Sequence, residues 1–174
     1  MAKSASESQH DLQKDVASYI QSGEHAFIAC DDPNLRNDFV RFLQGTLAGS
    51  PIEYIDSDRV SRLRDFAVAI VESCRCLVTT IASLPMERTP GIANSLKETM
   101  LAFDAAERQG FLIIDNIDSV IEMQRTIEIE GPLRSVMQIH NDVAVVLCGS
   151  NRVINDMVGS YDRPFYMSFR VFRL

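Results

Sequence analysis

The sequence lacks any apolar run long enough to cross a membrane. Its longest purely apolar segments, such as Phe111–Ile114 and Val143–Cys148, span four to six residues, whereas a transmembrane helix needs roughly 20. The basic, apolar and small-residue order of a secretory leader is also missing from Met1–Gln13. We therefore expect a cytoplasmic protein with no membrane association.

Spaced metal-binding and catalytic patterns are equally absent. The 4 cysteines lie within apolar segments, which favours buried, reduced thiols over disulfides or metal ligands. The 3 histidines stand apart from one another and from cysteine, and no Gly-x-Ser-x-Gly or His-Glu-x-x-His motif occurs. The cysteines are Cys30, Cys74, Cys76 and Cys148, and the histidines are His10, His25 and His140. We expect neither a bound metal nor a catalytic nucleophile.

Basic residues are fewer than acidic ones. The chain has 17 Lys and Arg against 24 Asp and Glu, a net charge of -7. Duplex-binding proteins usually carry the opposite balance, because contacts to phosphate dominate their affinity. Arg59, Arg62 and Arg64 form a local basic group, which we interpret as the solvated side of a helix. Nucleic-acid binding is therefore possible but disfavoured.

The chain does have enough material for one well-packed domain. Its 174 residues are 46% hydrophobic, and a domain of this size buries roughly 70% of the surface that the unfolded chain exposes. The first residues are small and polar, so we expect 1–10 to be a flexible tail or the cap of a helix starting near Asp11. Residues 11–174 are then expected to form a single core domain.

Short apolar runs alternate with segments of helical periodicity. Asp58 is expected to cap a long helix, whose apolar positions recur from Val60 to Ile81. Further helices are predicted at 35–47, 92–109 and 153–158 and before His140, and strands at 24–29, 51–55, 111–114, 143–148 and 165–174. Such alternation is typical of a parallel sheet with helices on both faces.

Polar residues follow three of the predicted strands. They are Asp31 and Asp32, Asp115 and Asn116, and Ser150 and Asn151. Ligands of open α/β sheets bind at the carboxyl ends of the strands. We therefore expect these residues to mark the functional site.

Three segments carry a resemblance to a known family: FLIIDNIDSVIEM from Phe111, GPLRSVMQIHNDVAVVLCGSN from Gly131 and DMVGSYDRPFYMSFRVFRL from Asp156. In these segments the chain resembles the prokaryotic, archaeal-type P-loop ATPases, which are related to the AAA+ and STAND groups. The resemblance spans residues 24–174 and is specific from Phe111 onward. It implies a three-layer α/β/α P-loop NTPase-like core with a mainly parallel five-stranded sheet in the order 5-1-4-3-2. Because the sequence stops directly after the last core strand, we expect no lid domain.

The resemblance places a degenerate Walker A loop at Cys30–Asn37, which reads CDDPNLRN. An intact GxxxxGK[ST] loop wraps phosphates with its backbone, reaches the terminal phosphates with Lys and holds Mg²⁺ through a hydroxyl. Here Cys30 and Leu35 replace the glycines, while Arg36 and Asn37 replace the lysine and the hydroxyl residue. We therefore do not expect Mg-ATP as a cofactor in the usual mode, although Arg36 at a helix N-terminus could pair with an anion.

The same resemblance gives roles to the other strand-end residues. Asp115 matches the Walker B aspartate that positions Mg²⁺, and Asn116 stands where related enzymes carry the glutamate that activates water. An amide is not basic enough near neutral pH to act as a general base. Ser150 and Asn151 match the sensor position that touches the terminal phosphate. Without the family, Asp115 is a turn residue after a strand, and Ser150 and Asn151 form a strand-end turn and helix cap.

The resemblance thus implies a vestigial nucleotide site without catalytic residues, in which Asp31 and Asp32 would repel a triphosphate. Its candidate residues are Asp31, Asp32, Asn34, Arg36, Asn37, Asp115, Asn116, Ser150 and Asn151. Asp115 would be a metal ligand only if Mg-nucleotide binds. We expect a pseudo-ATPase rather than an enzyme, acting as a protein-interaction or regulatory module with a protein partner or a second copy of itself. The alternatives are a nucleotide-binding switch or weak ATPase, and an accessory factor in DNA replication or mobile-element maintenance.

Overall fold

The computed structural model describes residues 5–82, 109–121, 130, 131, 133, 134, 137 and 143–174. Its elements are α1 (Ala5–Gln21), β1 (Ala26–Ala29), α2 (Pro33–Thr46), β2 (Ile52–Asp56), a 3₁₀ turn (Ser57–Arg59), α3 (Leu63–Ala82), β3 (Gly110–Asp115), α4 (Ile117–Ile121), β4 (Val143–Gly149), α5 (Asn151–Met157) and β5 (Arg170–Arg173). The described residues between 130 and 137 are also helical, in agreement with the helix predicted before His140. Residues 92–108 of the helix predicted at 92–109 lie outside the described residues.

The five strands form one sheet in the order β2-β3-β4-β1-β5, and every neighbouring pair is parallel. The predicted order, 5-1-4-3-2, is the same order read from the opposite edge of the sheet, so the prediction is confirmed. Phe27 of β1 lies opposite Leu147 of β4 and Val171 of β5. Because all strands run the same way, their carboxyl ends meet at one edge of the sheet.

Two apolar cores cover the two faces of the sheet. Successive side chains of a strand point to opposite faces, so Leu112 and Leu147 pack with α3, α4 and α5, whereas Ile113 and Val146 pack with α1 and α2. Strands β1, β3 and β4 are buried at every residue. Their continuous apolar runs therefore reflect a three-layer α/β/α architecture.

The start of α1 differs from the expectation of a tail at 1–10. The helix begins at Ala5, and Leu12, Val16 and Ile20 pack into the core from it. The sequence between Ala5 and Leu12 holds no large apolar residue, so the apolar periodicity starts later than the helix itself.

Two other boundaries are corrected. Asp58 lies in the 3₁₀ turn instead of capping a long helix, because Asp56 accepts a hydrogen bond from the Asp58 amide and the chain becomes extended again at Val60. The last strand begins at Arg170 rather than at Phe165. Phe165 is buried, but it lies in a turn. Its apolar side chain therefore extends the apolar pattern of the last strand beyond the strand itself.

The thiols also differ in part from expectation. Cys30, Cys74 and Cys148 are buried, as predicted, but Cys76 is exposed. Two residues along a helix turn the side chain to the other side, so Cys74 and Cys76 of α3 face in different directions. No helix in the described part of the chain is long and apolar enough to cross a bilayer.

Candidate functional site

The candidate site lies at the carboxyl ends of the strands. The loop after β1 is joined to the end of β4, since the Cys30 amide donates to the Gly149 carbonyl at 2.8 Å. Asp31 accepts hydrogen bonds from the backbone and side-chain nitrogens of Asn151, both at 2.8 Å. The structure therefore brings together the polar residues that follow β1 and β4, as the sequence predicts.

Arg36 lies at the centre of these strand ends. It lies in the first turns of α2 and is only 8% exposed. Its guanidinium donates to the Cys30 carbonyl at 3.4 Å and to Oδ1 of Asn116. Its Nε lies 3.1 Å from Oδ1 of Asp115, an ion pair in which the Nε–H does not point at the oxygen. A single side chain thus joins the ends of β1 and β3.

Asp115 is completely buried. It accepts the Asn116 amide at 2.8 Å and the Tyr54 hydroxyl at 3.2 Å. Burial raises the pKa of the Asp115 carboxyl, while the Asn116 amide and the charge of Arg36 oppose this shift. The Asp115 carboxylate is therefore surrounded by partners from its own chain.

Asn116 links a further strand to the site. Its backbone has φ 55°, a left-handed conformation that Asn tolerates better than most residues. Its Nδ2 donates to Oδ1 of Asp56 at 2.8 Å, while its Oδ1 accepts from Arg36. Both ends of the amide are thus bonded within the protein.

The N-terminus of α2 is capped from within the loop. Oδ1 of Asp32 accepts the amides of Asn34 at 2.9 Å and Leu35 at 3.4 Å, and Pro33 stands at the start of the helix. These amides are the groups that would otherwise attract an anion at a helix N-terminus. The side chains of Asn34 and Asn37 are exposed and are not among the contacts that build the site.

Ser150 occupies the helix-cap position that the strand-end interpretation predicts, but its side chain bonds elsewhere. It stands at the N-cap position of α5, but its side chain makes no capping bond. Its Oγ donates to Oδ1 of Asp118, and its amide donates to Oδ2 of the same carboxylate at 3.0 Å. The side-chain hydrogen bond from Asn151 holds the pKa of Asp31 below its usual value.

Sequence reasoning missed three residues that complete this network: Tyr54, Asp56 and Asp118. One signal was available, since Asp56 ends β2 just as Asp115 ends β3, and the two are paired in register. The involvement of Tyr54 and Asp56 depends on β2 lying beside β3, which periodicity does not show. Among the described residues, no group of three or more His, Cys, Asp and Glu side chains could hold a metal ion.

The sheet and its helical layers define a class of fold. A five-stranded parallel sheet in this order, flanked by helices on both faces, is a P-loop ATPase-like fold. No protein-family model and no curated protein sequence matches the chain.

Solved structures of similar fold agree with this class. The Orc1 protein of Aeropyrum pernix in complex with DNA has a TM-score of 0.64 and 10% identity over 95% of this chain and 44% of its own. The Walker-type ATPase of Pyrococcus abyssi has a TM-score of 0.66 and 8% identity over 94% of this chain and 52% of its own. Cdc6p of Pyrobaculum aerophilum has a TM-score of 0.61 and 14% identity over 99% of this chain and 46% of its own. The chain spans about half the length of these proteins, and identities this low establish similarity of fold alone.

Proposed function

We propose that the chain is a catalytically inactive, ATPase-like domain that acts as a protein-interaction or regulatory module. The observation that carries the proposal is the inward position of Arg36, whose charge is paired with Asp115 and whose hydrogen bonds go to Cys30 and Asn116. Arg36, which matches the lysine position of the Walker A loop, therefore stabilises the fold and is not directed at a phosphate.

The residues present do not fit Mg-ATP. Removing Arg36 from the buried Asp115 would leave a carboxylate without its counter-charge, a change that costs about 3–5 kcal/mol in buried pairs. The amides of Asn34 and Leu35 already have the Asp32 carboxylate as their acceptor. Phosphates would have to displace this negatively charged group, and would meet the exposed Asp31 beside it.

The arrangement also argues against hydrolysis. Asn116 stands where related enzymes carry a glutamate, and its amide has no basicity with which to activate water. Its two polar atoms are bonded to Arg36 and Asp56. The loss of a general base at Asn116 would therefore prevent hydrolysis even if a nucleotide were bound.

Titration with nucleotide tests this proposal. We expect the melting temperature and the heat of mixing to stay unchanged with millimolar ATP, ADP or GTP, with Mg²⁺ or with a chelator. A ligand present at 100 times its Kd would stabilise the folded state by about 2.7 kcal/mol, so binding would be visible. Saturable, Mg²⁺-dependent stabilisation that disappears in Asp115→Ala would contradict the proposal and support a nucleotide-binding switch.

A role as an accessory factor in DNA replication is the second candidate. It is favoured by the similarity of fold to Orc1 of A. pernix in complex with DNA and to the Drosophila ORC bound to DNA and Cdc6. Arg62 and Arg64 are exposed at the start of α3, while the net charge of -7 opposes binding. Anisotropy of labelled duplex and single-stranded DNA at about 50 mM and about 200 mM salt tests this role. Salt-sensitive binding that is lost in Arg62→Glu/Arg64→Glu would support it, and no binding at the lower salt would reject it.

A further inference from the structure

The outer edge of β5 carries backbone hydrogen-bonding groups that no other described strand uses. Within the described sheet β5 pairs only with β1. The amide of Arg170 donates to His25 at 3.1 Å, and that of Leu174 donates to Ala29 at 3.0 Å. Alternate residues of a parallel strand bond to the same neighbour, so the peptide groups of Val171 and Arg173 point away from β1. No strand among the described residues pairs with this edge, so another strand can pair there.

An open groove of about 400 Å³ lies beside this edge, between α1 and β5. Its walls are formed by Asp15, Ser18, Tyr19, Ser22, Arg170 and Phe172. The guanidinium carbon of Arg170 lies 5.0 Å from the ring centre of Tyr19 and 5.0 Å from that of Phe172. Cation–π attraction to two rings fixes the position of the guanidinium.

Strand β5 is locally basic on an acidic chain, while Asp15 lines the α1 wall of the groove. Arg170 and Arg173 are both exposed, and no carboxylate of the described residues forms an ion pair with either of them. The chain as a whole has a net charge of -7. The strand therefore favours a negatively charged partner at this position.

Charged side chains on an edge strand can also serve to prevent pairing. The position of Arg170 does not fit that role, because its guanidinium is stacked on Tyr19 and Phe172 instead of projecting across the free edge. The backbone groups of Val171 and Arg173 therefore are not covered by this guanidinium.

We propose that the β5 edge and its groove bind an extended, acidic segment of a partner protein, which adds a sixth strand to the sheet. Main-chain hydrogen bonds to Val171 and Arg173 would hold the segment. Alternate side chains would enter the groove, where a carboxylate meets Arg170. The proposal specifies the partner chemistry for the protein-interaction role proposed above and rests on it.

Fluorescence anisotropy with labelled peptides tests this surface. The probe is a short peptide of alternating Glu and Thr, and the control is the same peptide with Lys in place of Glu. We expect saturable binding of the Glu peptide, at least about ten-fold tighter than that of the Lys peptide and weaker at high salt. Equal binding of the two peptides, or no binding of the Glu peptide, would overturn the proposal.

Two variants separate pairing of strands from simple charge attraction. Val171→Pro removes an outward N–H but no hydrogen bond to β1, and we expect it to weaken binding about ten-fold, as does Arg170→Glu. If Val171→Pro does not fold, a Glu peptide N-methylated at alternate residues replaces it, since it lacks the matching donors. Unchanged affinity in these tests would reject strand addition. Neither result alters the nucleotide titration, so failure here is distinguishable from failure of the proposed pseudo-ATPase.

Discussion

At the scale of single residues, the chemistry of Arg36 explains why the candidate site is closed. A guanidinium is planar and presents several N–H donors in fixed directions, whereas a lysine ammonium is a compact point charge. Arg36 uses this geometry to contact Cys30, Asp115 and Asn116 together. The charge of Arg36 is therefore directed at the interior of the protein instead of at solvent.

We expect Arg36→Met to destabilise the fold by about 3–5 kcal/mol, because it leaves the buried Asp115 carboxylate without its cation. Arg41→Met on the same helix is the matched control. Arg41 and Asp38 form an exposed ion pair at 3.7 Å, so we expect its loss to change stability by no more than about 0.5 kcal/mol. Urea unfolding of the two variants and the parent chain measures both changes.

A double-mutant cycle identifies the source of the Arg36 effect. Adding Asp115→Asn to Arg36→Met removes the unpaired charge, so we expect the double variant to lose less stability than the sum of the single ones, by at least about 1 kcal/mol. Additive losses would show that the two side chains do not depend on each other.

The identity of Gly149 follows from close packing. A Cβ at this position would lie 2.7 Å from Cγ2 of Ile117 and 3.0 Å from Oδ2 of Asp118. We expect Gly149→Ala to lower stability by about 1–3 kcal/mol through overpacking. In contrast, Gly45 of α2 has no atom within 4 Å of the added Cβ, so Gly45→Ala should be neutral or stabilising by up to about 1 kcal/mol. Thermal unfolding that ranks the two variants in the opposite order would contradict this account.

At the scale of elements, His25 connects the start of β1 with its neighbours. Its Nδ1 accepts the Val145 amide of β4 at 3.0 Å, which places the ring proton on Nε2, 3.3 Å from the Met137 carbonyl. The ring also packs edge-on against Phe169. Burial lowers the pKa of His25, with the Met137 bond and Glu24 acting in the opposite direction.

This geometry predicts that stability falls on mild acidification. Between the unfolded value near 6.5 and the lower folded pKa, the unfolded chain binds a proton at His25 that the folded chain does not. Stability is therefore lost as pH falls through this window, by up to about 1.4 kcal/mol per pH unit. Urea midpoints at about pH 7.5 and about pH 5.5 measure the slope. His25→Gln should flatten it, and His10→Gln, at an exposed position, should leave it unchanged. Equal slopes in the parent chain and His25→Gln would reject the assignment.

At the scale of the whole molecule, the thiols report on the integrity of the core. Cys74 lies on α3 and packs in one core, and Cys148 lies on β4 and packs in the other. Burial raises the pKa of Cys74 to about 12 and that of Cys148 well above its usual value, so neither forms a reactive thiolate at neutral pH.

We expect one thiol, Cys76, to react rapidly with a thiol reagent in the native protein, because it alone of the four is exposed. Cys74 and Cys148 should react only at the rate of global unfolding, since each lies in one of the two cores. Cys30 is buried in the loop after β1 and should also react more slowly than Cys76. Cys76→Ser should abolish the rapid phase. Rapid labelling of a second thiol would show that one face of the sheet opens independently.

Much of the architecture was determined by the sequence itself. Apolar runs such as Phe111–Ile114 and Val143–Cys148 are continuous because both faces of these strands are covered, and the alternation with helical periodicity indicates a parallel sheet. The positions of Asp115 and Asn151 at strand ends also follow from the sequence. The order of the strands was inferred from the resemblance to P-loop ATPases and is confirmed by the sheet.

Only the tertiary structure decided which side chains meet at the strand ends. Spacing along the chain places Arg36 near the N-terminus of a helix, but its inward direction depends on the presence of Asp115 across the edge. Tyr54 and Asp56 reach the same network because β2 lies beside β3. Such contacts join residues far apart in the chain through strand order and side-chain rotamers, neither of which is determined by local propensity.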